Sequence, residues 1–319
     1  MRTGKPAHGV AAAARVVHHP PMHRLGLVAI LAIAAPARAE PPAVALDAAV
    51  TLLAAKQRTT CADIECLIER AYAADPKARE VAVSLFRTTG NVAGVGPEEL
   101  MDGGYRGTIR LVPQLPTGTY RKHLVWVSEA MTAIDDWFTA LYAKQTIAPS
   151  YRWRALQFRF VRSIKKRTPS AYAFNWTIEY NVEGSLLTSA TGVRETLFHE
   201  LFHLNDEEHG DWSAKTLQTD FDAIVLACGT KVKCLAPFAP NSTKVRSSGT
   251  YYAFQPNNGN GVHEYAAELA VRYFKEQTAM LDNRRLAGPA FKCGPAENAR
   301  AWKAFVDEFF AGRDLVPGC

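Results

Sequence analysis

The segment from Leu197 to Asn205 constrains the fold of this 319-residue chain more than any other. Its large apolar residues lie on most sides of a helix: Leu197, Phe198, Leu201 and Phe202. An apolar surface of that extent is typical of a helix buried in a protein core. The same helix carries His199, Glu200 and His203, and buried polar groups need partners. The sequence therefore predicts a buried helix, over Gly192 to Asn205, built around a polar site.

The spacing of these polar residues indicates a metal site. His199 and His203 are four residues apart, so both imidazoles project from one face of the helix and can bind the same tetrahedral ion. Glu200 follows the first histidine, where its carboxylate can accept a proton from an activated water without binding the metal. We expect one Zn²⁺ per chain, with Glu200 as the general base.

The sequence offers two candidates for the third protein ligand. Glu264 lies on a predicted helix over Glu264 to Lys275, and Glu268 shares its face. If Glu264 binds the metal, Glu268 can accept a hydrogen bond from the outer nitrogen of His199. The other candidate is His209, because the histidines at 199, 203 and 209 have the spacing of the metzincin motif. Asp206 stands where that motif has glycine, and Asp adopts a left-handed turn less readily.

Residues 1–39 differ in composition from the rest of the chain. They contain five basic residues and no acidic ones, with an apolar run at 25–35 before Ala37-Arg38-Ala39. This order predicts a secretory signal peptide, with translation beginning at Met22, and a secreted or periplasmic protein. The run is too short for a membrane span, so we expect no stable membrane insertion. Beyond it, 32 basic and 31 acidic residues give +1 instead of +6, which favours no nucleic-acid partner.

The cysteines support an exported protein. All six follow the predicted leader, and an even number in an exported chain indicates disulfides. Proximity predicts three pairs: Cys61–Cys66, Cys228–Cys234 and Cys293–Cys319.

The periodicity of apolar residues predicts an α+β chain. We expect a mostly helical N-terminal lobe over residues 40–150, with a strand at Thr108 to Pro113 and a long helix at His123 to Tyr142. Residues 90–107 are rich in glycine and are expected to be irregular. The catalytic region is expected over residues 151–319. It contains strands of a small sheet between Tyr151 and Val182, a loop from Pro256 to Gly261 and a final helix at Ala299 to Phe310.

The segments His199-Glu200-Leu201-Phe202-His203 and Glu264-Tyr265-Ala266-Ala267-Glu268-Leu269-Ala270 together resemble the gluzincin zinc metallopeptidases, in the branch that contains anthrax lethal factor. The resemblance covers roughly the C-terminal 130 residues. It implies a zincin-like fold with a small mixed sheet, an active-site helix and a mainly helical C-terminal lobe.

The resemblance also implies residue roles. His199, His203 and Glu264 would be zinc ligands, Glu200 the base and Glu268 the residue that supports a ligand. In that family a tyrosine shortly before the third ligand stabilises the oxyanion, a role that Tyr252 would take here.

We therefore expect a secreted zinc metallopeptidase, an endopeptidase that acts on a protein or peptide substrate. His263 is a second candidate for the oxyanion donor. Three alternatives stay open: a zinc-binding protein of the same fold without catalysis, a metzincin-type site that uses His209, and a disulfide-stabilised binding module without metal.

Overall fold

The computed structural model describes residues 43–53, 61–103, 106–244, 249–256 and 260–319, which belong to one compact unit spanning residues 38–319. The predicted signal peptide, residues 1–39, lies outside the described residues. So do residues 257–259 of the predicted loop before Glu264.

Helices and strands are mixed along the chain, which confirms the α+β class. Within the described ranges the helices are α1 (Leu46–Leu53), α2 (Ile64–Ala71), α3 (Pro76–Thr89), α4 (Arg121–Tyr142), α5 (Ala190–Glu208), α6 (Trp212–Thr216), α7 (Gln218–Cys228), α8 (Val232–Leu235), α9 (Gly261–Leu281) and α10 (Ala296–Phe310). The strands are β1 (Val92–Val95), β2 (Glu99–Asp102), β3 (Thr108–Pro113), β4 (Gln157–Ser163), β5 (Ala171–Phe174) and β6 (Thr177–Asn181).

All six strands form one sheet with β4 at its centre. β6 pairs with β4 in parallel along one side, and β5 follows β6 as an antiparallel outer strand. The other side of β4 is shared, because β1 pairs in parallel with its first half and β3 antiparallel with its end. β2 pairs with β3 and forms the opposite outer strand. The sheet thus joins strands from both sides of residue 150.

The sheet is curled, so its two outer strands approach each other. The hydroxyl of Tyr172 on β5 donates a hydrogen bond of 2.7 Å to Glu99 on β2, although the two strands stand at opposite ends of the strand order. A small apolar cluster of Ile109, Leu111 and Val161 fills the inside of the curl. This bond therefore links the strand beside the polar site to the far edge of the sheet.

The helix that carries the predicted motif is buried, as expected, and is longer than predicted. Ser189 caps the start of α5 by accepting a hydrogen bond of 3.1 Å from the amide of Gly192. Phe198 stacks on Phe274 of α9 at a centroid distance of 4.5 Å. On another side, Phe202 packs against Phe309 of α10 at 5.3 Å. α5 is therefore fixed between two other helices.

The expectation of irregular structure over residues 90–107 is wrong, because β1 and β2 form there. Each strand has only four residues, too few for an alternating pattern to stand out. Gly94 allows β1 to lie close to α1, since a Cβ at this position would be 2.3 Å from the carbonyl oxygen of Leu52. Here glycine marks a close approach of two backbones rather than a loop.

A tight turn divides the second half of the region between Tyr151 and Val182, where strands were predicted. Asn175 and Trp176 have φ angles of 45° and 56° and form a two-residue turn between β5 and β6. Two positive φ angles at the centre of a hairpin match a type I′ turn, which suits the twist of the flanking strands. The turn makes β5 an outer strand next to the polar site.

The disulfides predicted from sequence proximity are confirmed: Cys61–Cys66, Cys228–Cys234 and Cys293–Cys319. They indicate an oxidising compartment. Across the described ranges, each helix is too short or too polar to cross a membrane.

Glu179 on β6 provides a test of the curled sheet. Its side chain is only 1% exposed, and its Oε1 has no hydrogen-bond partner in the described part of the chain. Burial, together with the nearby charge of Glu99, raises the pKa of Glu179 from 4.5 to about 7. Because the folded state favours the protonated form, the free energy of unfolding falls as pH rises from about 4.5 to about 7. We expect the free energy of unfolding of Glu179→Gln to lack this fall. Its advantage over the wild type should therefore grow by roughly 2 kcal/mol between pH 5 and pH 8.

Urea unfolding at both pH values measures this difference. Glu80→Gln is the matched control, because Glu80 is exposed on α3. Parallel pH profiles for the wild type and Glu179→Gln would contradict the assignment.

Candidate metal centre

Helix α5 brings its two motif histidines together on the side that faces α9. His199 and His203 are one turn apart, and their Nε2 atoms are 3.1 Å from each other. His199 is 8% exposed, so its ring is held largely away from water. Two ring nitrogens this close together can bind the same ion beside the helix.

The third group comes from the first turn of α9. Glu264 Oε2 is 3.1 Å from Nε2 of His199 and 3.9 Å from Nε2 of His203. The close approach of this turn depends on Gly261, because a Cβ there would lie 2.9 Å from the ring of Phe221. α9 therefore begins with the carboxylate already facing the two histidines.

These three side chains could hold a metal ion. One ligand atom from each of His199, His203 and Glu264 lies within 4.8 Å of the others. Tetrahedral zinc, with bonds of about 2.1 Å, needs ligand atoms about 3.4 Å apart. The three observed separations, 3.1, 3.1 and 3.9 Å, lie on both sides of that value. The donor set and its spacing fit a tetrahedral ion with one position left for another ligand.

Glu268 supports this group from the next turn of α9. Its Oε1 lies 3.4 Å from Nδ1 of His199, on the side of the ring opposite Nε2. Glu268 is 8% exposed, so its charge is weakly screened. A carboxylate in this place orients the ring and makes Nε2 a better ligand.

The electrostatics of the cluster favour cation binding. Burial raises the pKa of Glu264, but the hydrogen bond from His199 and the charges of both histidines bring it down to about 2. Burial and the charge of His199 lower the pKa of His203 to about 3. Both residues therefore stay in the form that binds a metal. Burial also lowers the pKa of His199, but hydrogen bonds to Glu264 and Glu268 hold it well above the usual range. A proton on His199 thus competes with the metal.

Glu200 lies beside the group without belonging to it. Its side chain is 7% exposed, and it lines the same pocket, of about 440 Å³, as the two histidines. No hydrogen bond to Glu200 occurs within the described ranges. Burial raises its pKa to about 7; the charge of His199 opposes this and that of Glu264 adds to it. The carboxylate is available to a molecule that enters the pocket.

Tyr252, predicted as an oxyanion donor, also reaches the pocket. It begins a short 3₁₀ turn, Tyr252–Phe254, and its ring centroid is 5.9 Å from that of His199. An interaction with Tyr252 is the smallest of the causes that lower the pKa of Glu264. His263, the second candidate donor, lines the pocket as well. The structure therefore brings both residues to the site.

His209, the competing ligand, lies outside the cluster. Helix α5 continues through Asp206 to Glu208, so the chain does not turn where a metzincin-type site requires it. His209 Nδ1 instead lies 2.6 Å from Glu308 on α10, and its ring packs 4.8 Å from Phe309. The metal-binding group found among the described residues does not include it.

Asp206, which takes the place of the metzincin glycine, has a different role. Its carboxylate accepts hydrogen bonds from the amide and the hydroxyl of Ser213, at 2.7 and 2.5 Å. The positive φ angles required by the turn occur later, at Gly210 and Asp211. Asp206 thus fixes the start of α6 against the end of α5.

The pocket has one wall that sequence reasoning missed. Residues Ala171, Tyr172 and Ala173 of β5 line it. β5 pairs only with β6, so its other edge is not part of a ladder in the described sheet. Two alanines and a tyrosine are not residue types that mark a binding site, so the residue types carried no signal for this wall.

Comparison with known proteins adds no relative. The chain matches no protein-family model, no curated protein and no solved structure. The assignment of the site therefore depends on its own geometry.

We expect His203 and His209 to differ sharply in their effect on metal content. His203→Ala removes one of three ligands and should lower zinc affinity by more than about a hundredfold. This loss is larger than the one expected when a residue that hydrogen-bonds to a ligand is removed. His209→Ala is the matched control and should keep about one zinc per chain. Mass spectrometric metal analysis after dialysis measures both. Zinc lost from both His203→Ala and His209→Ala would instead support the metzincin-type site.

Proposed function

We propose that this protein is a zinc-dependent peptidase of the gluzincin type, with a zincin-like catalytic region. The observation that carries the proposal is the position of Glu200. It is a buried carboxylate with no hydrogen bond to any described residue, and it lies in one pocket with His199, His203 and Glu264. A purely structural zinc site fills its fourth position and has no use for such a base.

Zinc is the proposed metal because of the donor set. Two imidazoles and one carboxylate, with one position left open, are typical of catalytic zinc sites. A zinc ion held there would polarise the scissile carbonyl group and lower the pKa of the attacking water to about 7. The roles of the protein side chains follow from their positions around it.

Glu200 is the proposed general base. It takes a proton from the attacking water and later delivers it to the nitrogen of the leaving amine. Proton transfer in both directions requires a carboxylate whose pKa lies near neutrality, and burial raises the pKa of Glu200 to about 7. Because no hydrogen bond from a described residue engages Glu200, the water is its natural partner.

Strand β5 supports a peptide as the substrate. An extended chain can add to an outer strand through main-chain hydrogen bonds, whatever its side chains are. The residues of β5 that line the pocket, Ala171 to Ala173, line it together with Glu200 and His199. A peptide bound along β5 would thus present its backbone carbonyl groups to the proposed zinc site.

Tyr252 is the proposed oxyanion donor. Tyr252 lines the pocket, and its ring centroid lies 5.9 Å from that of His199, so a substrate carbonyl group bound at the centre would lie near it. Donors placed where negative charge develops lower the barrier without reorganisation. His263 lines the same pocket and is the alternative donor.

The proposed location is outside the cytoplasm, secreted or periplasmic. The disulfides support it, and the predicted leader agrees with it.

We expect Glu200→Gln to separate metal binding from catalysis. The amide cannot accept the water proton, so hydrolysis should fall by at least about a thousandfold, while zinc content stays at that of the wild type. Cleavage of a quenched fluorescent peptide library by the zinc-loaded protein measures the first effect, and metal analysis the second.

Glu208→Gln is the matched control for Glu200→Gln, because Glu208 is exposed on the same helix. Unchanged turnover in Glu200→Gln would refute the mechanism. Zinc binding by the wild type without hydrolysis of any library peptide would support the zinc-binding protein without catalysis.

Tyr252→Phe tests the oxyanion assignment. Removal of one donor should lower kcat by roughly a hundredfold with little change in KM. Steady-state kinetics at saturating zinc measures the effect, and Tyr251→Phe is the control because Tyr251 does not line the pocket. A decrease in zinc affinity with kcat unchanged would assign Tyr252 to positioning Glu264 instead.

A further inference from the structure

One end of the pocket is acidic. Asp206, Glu207 and Asp211 line it beyond His203, in addition to the carboxylates of Glu200 and Glu264. No lysine or arginine of the described residues lines the pocket. Since His199, His203 and Glu264 are assigned to the metal, the carboxylates that remain give this end a negative charge.

Asp206 is a fixed acidic side chain at this end, although burial raises the pKa of its carboxyl group. It is 2% exposed, and Ser213 binds it through neutral donors. The imidazole Nε2 of His263 lies 4.0 Å from Oδ2 of Asp206. The amide of Asp211 donates a hydrogen bond of 3.0 Å to the carbonyl oxygen of Asp206, which holds the turn in place. The acidic groups are therefore positioned by the fold.

Glu207 and Asp211 are exposed at the front, and neither forms an ion pair with any described residue. Lys215 lies near Gly210 but does not pair with them. Their charges are thus available to a bound ligand. Field lines in a cleft lined by one sign of charge are focused toward a ligand of the opposite sign.

The acidic end lies close to the reacting groups. Glu207 follows His203 by four residues on α5, about 6 Å along the helix axis. The buried side chain of Glu200 has no protein partner in the described ranges and lines the same pocket as the acidic end. A ligand that reaches Glu200 therefore also has a group within reach of the acidic end.

We propose that this end of the cleft, formed by Asp206, Glu207 and Asp211, selects peptide substrates with a cationic group next to the scissile bond. The group is an amine or a guanidinium, from either of two sources: a lysine or arginine side chain, or the α-amine of the first substrate residue. The proposal rests on the proposed function, since it places the cation relative to the zinc site.

Three zinc-binding hydroxamates distinguish the sources. Nα-acetyl-lysine hydroxamate carries a side-chain amine, norleucine hydroxamate carries only an α-amine, and Nα-acetyl-norleucine hydroxamate carries neither. With the zinc-loaded full chain, we expect at least one cationic compound to bind roughly tenfold more tightly than the neutral one. The cationic compound that binds more tightly identifies the source. The advantage should shrink as salt is raised from 0.05 to about 1 M, because exposed charges are screened.

The double variant Glu207→Gln/Asp211→Asn should lose this advantage and keep its zinc. Both residues are exposed, so the fold is expected to persist, and circular dichroism checks it. Glu208→Gln is the matched control, because Glu208 has the same charge and lies next to Glu207 but does not line the pocket. It should bind all three compounds like the wild type.

Equal dissociation constants for the three compounds would overturn the inference, and so would an advantage that the double variant retains. If hydrolysis that depends on Glu200 persists in either case, the proposed function stands and only the substrate preference fails. If the chain binds no zinc, metal analysis shows it, and both proposals fail together.

Discussion

The packing of α5 against α9 is the contact on which the candidate site depends. Both helices are largely buried, and stacking of Phe198 on Phe274 fixes their separation. Two ligands come from one helix and the third from the other, so a change of about 1 Å in that separation would break the tetrahedral spacing. The apolar residues of α5 therefore do more than fill the core, because they set the distance between ligands.

Burial also sets the chemical character of the centre. Three carboxylates and two imidazoles share a space that excludes most water, where their charges interact strongly. Hydrogen bonds from His199 keep Glu264 ionised, whereas Glu200 has no such bond and its pKa rises toward neutrality. The two neighbouring carboxylates thus differ in pKa because their hydrogen-bond partners differ.

Much of the site could be predicted because it depends on local spacing. His199, Glu200 and His203 lie on one helix, and Glu264 and Glu268 lie on another, so helical periodicity alone places each set on a face. The choice between Glu264 and His209 could not be made in this way. It depends on whether the chain turns at Asp206, and Ser213, which bonds to Asp206, lies outside the motif.

The fold was predicted less completely for a related reason. Long elements such as α4 have enough periodicity to be recognised, whereas β1 and β2 are four residues long and contain or adjoin glycines that permit close packing. The wall formed by β5 is a product of the turn at Asn175 and Trp176. Its residues are of types that occur in any strand, so they do not by themselves indicate a pocket.

The bond between Tyr172 and Glu99 gives the cleft a mechanical property. Tyr172 lines the cleft, while its hydroxyl is tied to the outer strand at the other end of the sheet order. Outward displacement of β5 would therefore stretch this bond and open the curl over Glu179. The bond therefore restrains β5 against outward movement, and a ligand must fit the width of the cleft while the curl is closed.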